Sequence, residues 1–217
     1  MTLTLILPLV YVGCSKSAHI NLKDSRDSGL SNVSNAVKDA DHPPILFMGS
    51  KFIYQDTNLS DGKISKVTME VKEKKEFEQK QAYWFELSGK GMSYFDIYDV
   101  NLNWIGLYKE GKKLGSAQPC IQIFKWPLKV GKKWDSGYYY RNYSEGFHSA
   151  ALITSVNIRT YEEVTVPAGT FKTLRIQADG DTYWYAPSIG WIVKEQIGSY
   201  YTRRNLDLVE YNIPKNM

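Results

Sequence analysis

The chain of 217 residues contains two cysteines and three histidines, and these small numbers exclude several kinds of site. A disulfide framework needs several cysteine pairs, and a zinc site draws its ligands from clustered cysteine, histidine and carboxylate side chains. His19 and His42 lie in a polar N-terminal segment, which leaves His148 with no cysteine or carboxylate at ligand spacing. We therefore predict a protein without a metal, without another cofactor and without a disulfide framework.

Long apolar runs and a strong charge imbalance are also lacking. No apolar stretch approaches the roughly 20 residues that a membrane-spanning helix needs. The net charge is +4, and it is dispersed, with Lys72, Lys74 and Lys75 alternating with Glu73 and Glu76. Such mixing is typical of a solvated face. It gives no reason to expect a nucleic-acid partner.

Catalytic motifs are lacking as well. No Gly-x-Ser-x-Gly elbow accompanies His148, and there is no glycine-rich phosphate loop or dinucleotide fingerprint. The segment from Asp56 to Gly62 is similar to a calcium loop, but its glycine is one place late and Val67 replaces the required glutamate, which favours a hairpin turn. We predict that the chain is not an enzyme. A glycan hydrolase, which needs two converging acids, is the less favoured alternative, and its candidate acids are Asp96, Asp99, Glu162, Glu163 and Asp181.

Cys14 stands between two segments of opposite character. Residues 1–13 are uncharged, mostly apolar and end in Gly13, whereas Ser15 to Asp41 is rich in Ser, Asn, Asp and Lys. An apolar run, a small residue, a cysteine and a hydrophilic tether together resemble a bacterial lipoprotein signal. The resemblance implies cleavage before Cys14, a palmitate on its sulfur and a membrane anchor. A short buried strand with an incidental cysteine is the alternative.

The same resemblance implies three parts: a signal peptide over 1–13, the lipidated cysteine and a flexible tether over 14–44, and a single β-rich domain over 45–217. The tether lacks the apolar surface needed to offset the entropy of ordering, and Pro43 and Pro44 close it. Ser15, where an aspartate would direct retention, resembles the sorting pattern for the outer membrane of Gram-negative cells. This implies a location in the cell envelope, facing the periplasm.

From Ile45 onward the sequence has the pattern of an all-β protein. Turn signals such as Asp61-Gly62, Gly89–Gly91 and Asp179–Asp181 separate runs rich in Val, Ile, Thr, Tyr, Phe and Trp, which suit a pleated surface. We expect ten to twelve strands in an antiparallel sandwich or a meandering, partly open barrel. A helical period fits Val71 to Gln81 alone, and this stretch is equally compatible with a long exposed hairpin.

Four motifs follow one another in the second half of the chain. Trp126 to Trp134 reads W-P-L-x-V-G-x-x-W, Val166 to Phe171 reads V-P-A-G-T-F, and Tyr183 to Gly190 reads Y-W-Y-A-P-x-x-G, followed by an apolar strand. The series resembles a family of uncharacterised, exported, β-rich bacterial proteins, over about Trp126 to Tyr211. The resemblance implies a fold type and an envelope location, and no catalytic residue.

Aromatic residues make up 14% of the chain, including 16 tyrosines and 6 tryptophans, and several occur in runs such as Tyr138 to Tyr140. Because consecutive strand residues alternate between the two faces of a sheet, each run places at least one ring opposite the others. Tyrosine and tryptophan suit interfaces, since they combine apolar area with a hydrogen-bonding tip. Ordinary sheet packing is the alternative. The candidate binding aromatics are Trp84, Tyr138, Tyr140, Tyr143, Trp184 and Trp191.

Together these features predict a non-catalytic binding or interaction module that is held at a membrane through Cys14. Its partner would be an envelope protein, a glycan or a lipid. The alternative is a carrier of apolar ligands, in which the sheet encloses a cavity. A continuous cavity of several hundred Å³ would favour the carrier, and a filled core would favour the module.

Metabolic labelling tests the anchor. We expect the wild-type chain to incorporate labelled palmitate and the Cys14→Ala variant to incorporate none, because the variant has no sulfur at the acylated position. Equal labelling of the two chains would rule out lipidation at this residue.

Overall fold

The computed structural model of the protein describes residues 39–89, 91–144, 148–198 and 203–214. These residues form fourteen β-strands, and no helix among them is long and apolar enough to cross a membrane. The strands are β1 (Asp39–Ala40), β2 (Lys51–Asn58), β3 (Ile64–Phe77), β4 (Lys80–Gly89), β5 (Met92–Asp99), β6 (Trp104–Lys109), β7 (Lys112–Ile121), β8 (Leu128–Lys129), β9 (Lys133–Asn142), β10 (His148–Val166), β11 (Gly169–Ala178), β12 (Asp181–Ala186), β13 (Trp191–Gly198) and β14 (Arg203–Asn212).

Twelve of these strands close into one antiparallel barrel. Its order is β10-β11-β12-β13-β14-β2-β3-β4-β5-β6-β7-β9, and β9 returns to pair with β10. Strands β1 and β8 form a separate two-stranded sheet. The prediction of an antiparallel all-β fold is confirmed, and of the two architectures considered the structure has the barrel. Closure pairs each of the twelve strands on both sides, so the barrel has no free sheet edge.

The two ends of the barrel differ in what they carry. Because neighbouring strands run in opposite directions, successive connections alternate between the ends. The β2–β3, β4–β5, β6–β7, β9–β10, β11–β12 and β13–β14 connections lie at what we call the loop end. The other end receives residues 39–50 and the long β7–β9 connection that contains β8. We call it the tether end, because the chain enters the barrel there.

An apolar core fills the tether-end half of the barrel. At its centre the ring of Trp191 stacks on Phe85, with centroids 4.7 Å apart, and on Phe52 at 5.4 Å. Leu206 and Leu208 of β14 point to the same interior, where both are buried. The alternation of buried and exposed positions along β9 and β14 follows from the pleat of a strand. This half of the barrel is therefore filled by side chains.

Residues 39–50 pack across the tether end. Asp39 and Ala40 pair with Lys129 and Leu128, and the side chains of Ala40 and Leu46 are buried in the main core. Within the described residues, pairing is thus already present at Asp39, six residues before the predicted domain boundary at Ile45. The physical reason is that Ala40, an apolar residue of the polar segment, is buried in the main core.

The β3–β4 hairpin bends over the outside of the barrel. A bulge between Val71 and Glu73 breaks the register of the two strands. Beyond it, Phe77 packs edge-on against Trp84 at 5.9 Å and lies over Gly106. Val71 to Gln81 is thus a strand, a turn and a strand, as the hairpin alternative predicted, and it shields a second apolar cluster on the outer face of β4 to β6.

A substitution at Gly106 tests this packing. A Cβ at this position would meet Cζ of Phe77 at 2.6 Å, whereas a Cβ at Gly137 would meet nothing within 4 Å. We expect Gly106→Ala to lower the free energy of unfolding by about 1–3 kcal/mol through overpacking, and Gly137→Ala to leave it unchanged or raise it slightly. Urea unfolding measures both, and equal stability of the two variants would contradict the close approach of Phe77.

Candidate functional site

The inward positions of the barrel change from apolar to polar toward the loop end. Glu195 of β13 pairs with Tyr183 of β12 on one side and with Leu206 of β14 on the other. Leu206 pairs in turn with Asp56 of β2. Paired residues on neighbouring strands point to the same face of a sheet, and Leu206 belongs to the core. Tyr183, Glu195 and Asp56 therefore point into the barrel.

Glu195 is the most unusual of these residues. Its carboxyl group is deeply enclosed by protein, yet its side chain keeps some solvent exposure. Among the residues that the structure describes, none donates a hydrogen bond to it. Burial, assisted by the nearby Asp181, Asp96 and Asp56 and opposed by Arg204, raises the pKa of Glu195 to about 8. Glu195 is an interior acid with no hydrogen-bond donor from the described chain.

Three tyrosines resemble Glu195 in being enclosed by protein while keeping some solvent exposure. Tyr94, Tyr98 and Tyr183 are deeply enclosed by protein and still partly exposed. Burial is the main cause that raises the pKa of each. From this combination of enclosure and partial exposure we infer that these groups border a water-accessible space inside the barrel. We call this space the chamber, and its lining residues are Tyr94, Asp96, Tyr98, Tyr183, Glu195 and Arg204.

Asp96 brings a second carboxyl group to the chamber. Its side chain is 5% exposed, and one carboxylate oxygen accepts a hydrogen bond from Nε1 of Trp104 at 3.0 Å. Burial raises the pKa of Asp96 to about 7, and the bond from Trp104 offsets only part of that shift. Near neutral pH this carboxyl group is therefore divided between its neutral and ionised forms.

One ion pair, between Arg204 and Asp56, lies near the carboxyl groups of Asp96 and Glu195. Arg204 donates from Nε to Oδ1 of Asp56 at 2.9 Å and from Nη2 to Oδ2 at 2.7 Å, and Ser65 Oγ donates to the same Oδ2 at 3.1 Å. The bidentate pair makes Arg204 and Asp56 nearly neutral as a unit. Asp96, Asp181 and Glu195 remain without a cationic partner among the described residues. The chamber consequently has an excess of acid, and a bound cation would relieve the repulsion.

Four of the predicted binding aromatics are buried in the wall of the barrel. Trp84, Tyr138, Trp184 and Trp191 are 8% exposed or less. The ammonium of Lys75 lies 4.1 Å from the ring centroid of Trp84. Trp184 donates to Oε1 of Glu162 at 2.7 Å. These four rings take part in packing, which was the alternative for the aromatic runs.

The other two predicted aromatics, Tyr140 and Tyr143, are partly exposed. Tyr140 stacks on Trp104 with centroids 6.2 Å apart, so it supports the residue that bonds Asp96. Tyr143 lies under the ammonium of Lys113 at 4.8 Å. The structure therefore brings two of the six aromatics close to the chamber, Tyr140 through Trp104 and Trp191 through Tyr98, and it places the others elsewhere in the barrel.

The predicted acids are divided between the inside and the outside of the barrel. Asp96 and Asp181 interact with the chamber. Asp99 accepts hydrogen bonds from the backbone of Asn101 and Asn103, each at 2.9 Å, and holds a turn. The remaining two, Glu162 and Glu163, lie on β10, where Glu163 is exposed. The structure therefore places two of the five predicted acids at the chamber and the other three elsewhere.

Glu195 was not among the predicted site residues, although the sequence has a signal for it. It follows Trp191 and Val193, which are buried inward residues, in an otherwise regular strand. An acid in phase with the apolar face of a strand is costly to bury without a partner. The pattern alone would have indicated Glu195, had the phase of β13 been followed to its end.

Neither cysteine contributes to the chamber within the described residues. Cys14 lies outside them. Cys120 is half-buried, and burial raises its pKa to about 11, which keeps the thiol protonated and unreactive at neutral pH. In the described ranges, no group of three or more His, Cys, Asp and Glu residues is arranged to hold a metal ion.

No family model matches the chain, and no curated protein matches it. Among solved structures, the hypothetical lipoprotein YmcC from Escherichia coli (K12) is 12% identical with a TM-score of 0.42, and the match covers 78% of this chain and 87% of that chain. A candidate exported protein with a YmcC-like fold from Bacteroides fragilis NCTC 9343 is 13% identical with a TM-score of 0.37, over 80% and 99%. A candidate lipoprotein from Parabacteroides distasonis ATCC 8503 is 10% identical with a TM-score of 0.36, over 80% and 99%.

Replacing Glu195 tests the chamber electrostatics. A folded pKa near 8, above the ordinary 4.5, means that folding takes up a proton between these values. The stability of the wild type is therefore lost as the pH rises from about 4.5 to about 8. We expect Glu195→Gln to be more stable than the wild type at pH 8 by roughly 4 kcal/mol, because each unit of pKa shift corresponds to about 1.4 kcal/mol, and equal to it at pH 4.5.

Glu163→Gln is the matched control for this measurement, because Glu163 is exposed on the outside of the barrel. Urea unfolding at the two pH values should show no pH-dependent difference between this control and the wild type. A Glu195→Gln variant that is less stable than the wild type at pH 8 would contradict the uncompensated burial of Glu195.

Proposed function

We propose that the chain is a lipid-anchored protein of the bacterial cell envelope and that its barrel is a non-catalytic binding module. The resemblance of residues 1–15 to a lipoprotein signal supports the anchor at Cys14, and Ser15 supports an outer-membrane location facing the periplasm. The barrel supports the rest, because it is a closed scaffold that holds polar groups in its interior.

The proposed binding site is the chamber, and the proposed ligand is a small molecule that carries a protonated amine. The observation that carries this proposal is Glu195, an enclosed and accessible carboxyl group without a hydrogen-bond donor from the described chain. A buried polar group without a partner is costly. A ligand ammonium would supply both the hydrogen bond and the opposite charge, and Asp96 is close enough to Glu195 to add to the attraction.

The tyrosines of the chamber are suited to contact the part of the ligand that lies beyond its ammonium group. Tyr94, Tyr98 and Tyr183 offer ring faces to an apolar or aromatic body, and their hydroxyl groups can donate or accept hydrogen bonds. A ring face also attracts a cation directly. Because Glu195 holds its proton up to a pH of about 8, an ammonium that requires its ionised form would release a proton on binding.

A carrier of long apolar ligands is less well supported. Such a protein needs a largely apolar cavity of several hundred Å³. In the tether-end half, inward positions are filled by Trp191, Phe85 and their neighbours. The accessible space lies where the lining is acidic. Burying a lipid tail against unpaired carboxyl groups would leave those groups unsolvated, which is unfavourable.

Calorimetry with two probes of one shape tests the proposal. We expect phenethylamine to bind at pH 7.5 and 2-phenylethanol, its uncharged counterpart, to bind at least tenfold more weakly, because the alcohol cannot pair with Glu195. Titration in two buffers of different ionisation enthalpy should reveal proton release on binding of the amine. Equal binding of the two probes, or no binding of the amine, would contradict the proposed ligand class.

Two variants locate the binding. Glu195→Gln should weaken phenethylamine by at least tenfold, and Glu163→Gln should leave its affinity unchanged, since Glu163 lies on the outer surface. Retention of full affinity by Glu195→Gln would place any amine site elsewhere.

A further inference from the structure

The described chain enters the barrel beside a lysine-rich connection. Asp39 of β1 pairs with Lys129 of β8, so the first described residues lie beside this connection at the tether end. The connection between β7 and β9 carries Lys125, Lys129, Lys132 and Lys133 within nine residues. A chain anchored through its N-terminal side therefore presents this connection first to the surface that holds it.

The lysines lie close enough to affect one another. Lys125 and Lys129 both lower the pKa of Lys132, after the larger effect of burial. Lys132 has a structural role, because its ammonium donates to the backbone oxygens of Lys125 and Pro127. Lys125, Lys129 and Lys133 have exposed side chains. Among the described residues 39–44 and 122–133, these four lysines stand against two aspartates, Asp39 and Asp41.

Exposed apolar side chains accompany these lysines at the tether end. Ile45 is 72% exposed and Met48 is 67% exposed, both on the segment that crosses this end, and Val130 is 45% exposed next to Lys129. Large aliphatic side chains with this degree of exposure have no packing role in the barrel. Lysines beside apolar side chains are the combination that binds the interface of an anionic bilayer, where the cations meet the headgroups and the apolar groups enter the boundary of the acyl region.

We propose that the tether end, through Lys125, Lys129, Lys133, Ile45, Met48 and Val130, docks onto an anionic phospholipid surface. The inference goes beyond the binding function of the chamber and rests on the proposed anchor at Cys14. A multiply acylated cysteine holds the chain at the membrane by itself, and the electrostatic contact fixes the orientation of the barrel on that surface. Docking in this orientation directs the loop end, and the chamber near it, away from the bilayer toward the aqueous compartment.

Lysine footprinting on vesicles tests the docking. The lipidated protein, purified from envelopes in detergent, is reconstituted onto vesicles of phosphatidylcholine alone or of phosphatidylcholine with one quarter phosphatidylglycerol. It is then treated with an acetylating reagent, and the modification of each lysine is measured by mass spectrometry. We expect Lys125, Lys129 and Lys133 to react at least threefold more slowly on the anionic vesicles. Lys63, Lys66 and Lys112, near the loop end, should react equally on both, and 0.5 M salt should remove the protection.

Charge reversal provides the variant and its control. In Lys125→Glu with Lys133→Glu, Lys129 should react equally on the two kinds of vesicle, because the attraction to the headgroups is lost. In Lys63→Glu with Lys66→Glu, which makes the same change in net charge near the opposite end, the protection of Lys129 should persist. Loss of protection in both variants would show dependence on net charge alone and would overturn the assigned surface.

The remaining outcomes separate the anchor from the docking surface. Protein that associates with neither kind of vesicle overturns the anchor, and the docking inference with it. Protein that associates with both, with equal reactivity of Lys125, Lys129 and Lys133 on the two, overturns the docking alone. Protection of these lysines to the same extent on neutral vesicles would overturn the assignment of anionic headgroups as the partner.

Discussion

The stacking of Trp191 between Phe52 and Phe85 is the contact on which the rest of the structure depends. A barrel of about eight strands has an interior just wide enough for side chains to fill, and twelve strands enclose more. Trp191 and its partners fill the centre of this wider interior and join all sides of the apolar core. Tyr98 contacts Trp191 edge-on, with ring centroids 5.6 Å apart, and it also lines the chamber. The apolar core therefore borders the candidate site on the tether-end side.

On the loop-end side of the core, electrostatic interactions among the ionisable side chains of the chamber replace apolar packing as the main physical effect. The bidentate pair of Arg204 and Asp56 satisfies one buried carboxylate, and it leaves Glu195 without comparable support. Burial removes hydration, and neighbouring acids repel, so both effects favour the protonated form of Glu195. An arrangement of this kind costs stability at neutral pH and is typical of a functional site rather than of a structural one. In the proposed function, the chamber is the part of the barrel where stability is lowered and a cation is bound.

The two ends of the barrel divide the proposed tasks. At the tether end the chain enters beside lysines and exposed aliphatic side chains, which suit a lipid surface. Toward the loop end, the acidic chamber suits a soluble cation. A closed antiparallel barrel keeps these surfaces apart, because every strand spans from one end to the other and every connection is confined to one end. Attachment and recognition can therefore occur together without competing for the same residues.

The sequence by itself determined the local structure. Turn residues and the alternation of side chains were enough to predict antiparallel strands without a helix, and the charged stretch from Val71 to Gln81 was compatible with the hairpin that forms, because these features act between near neighbours. Tertiary structure decided the closure, the bulge between Trp184 and Tyr185 that sets the phase of β13, and the meeting of Asp96 with Glu195. These depend on the register between strands far apart in the chain, and a shift of one residue turns each side chain to the opposite face. For that reason the aromatic runs that are prominent in the sequence take part in packing within the barrel. Glu195, which no sequence motif marks, lies at the centre of the candidate site.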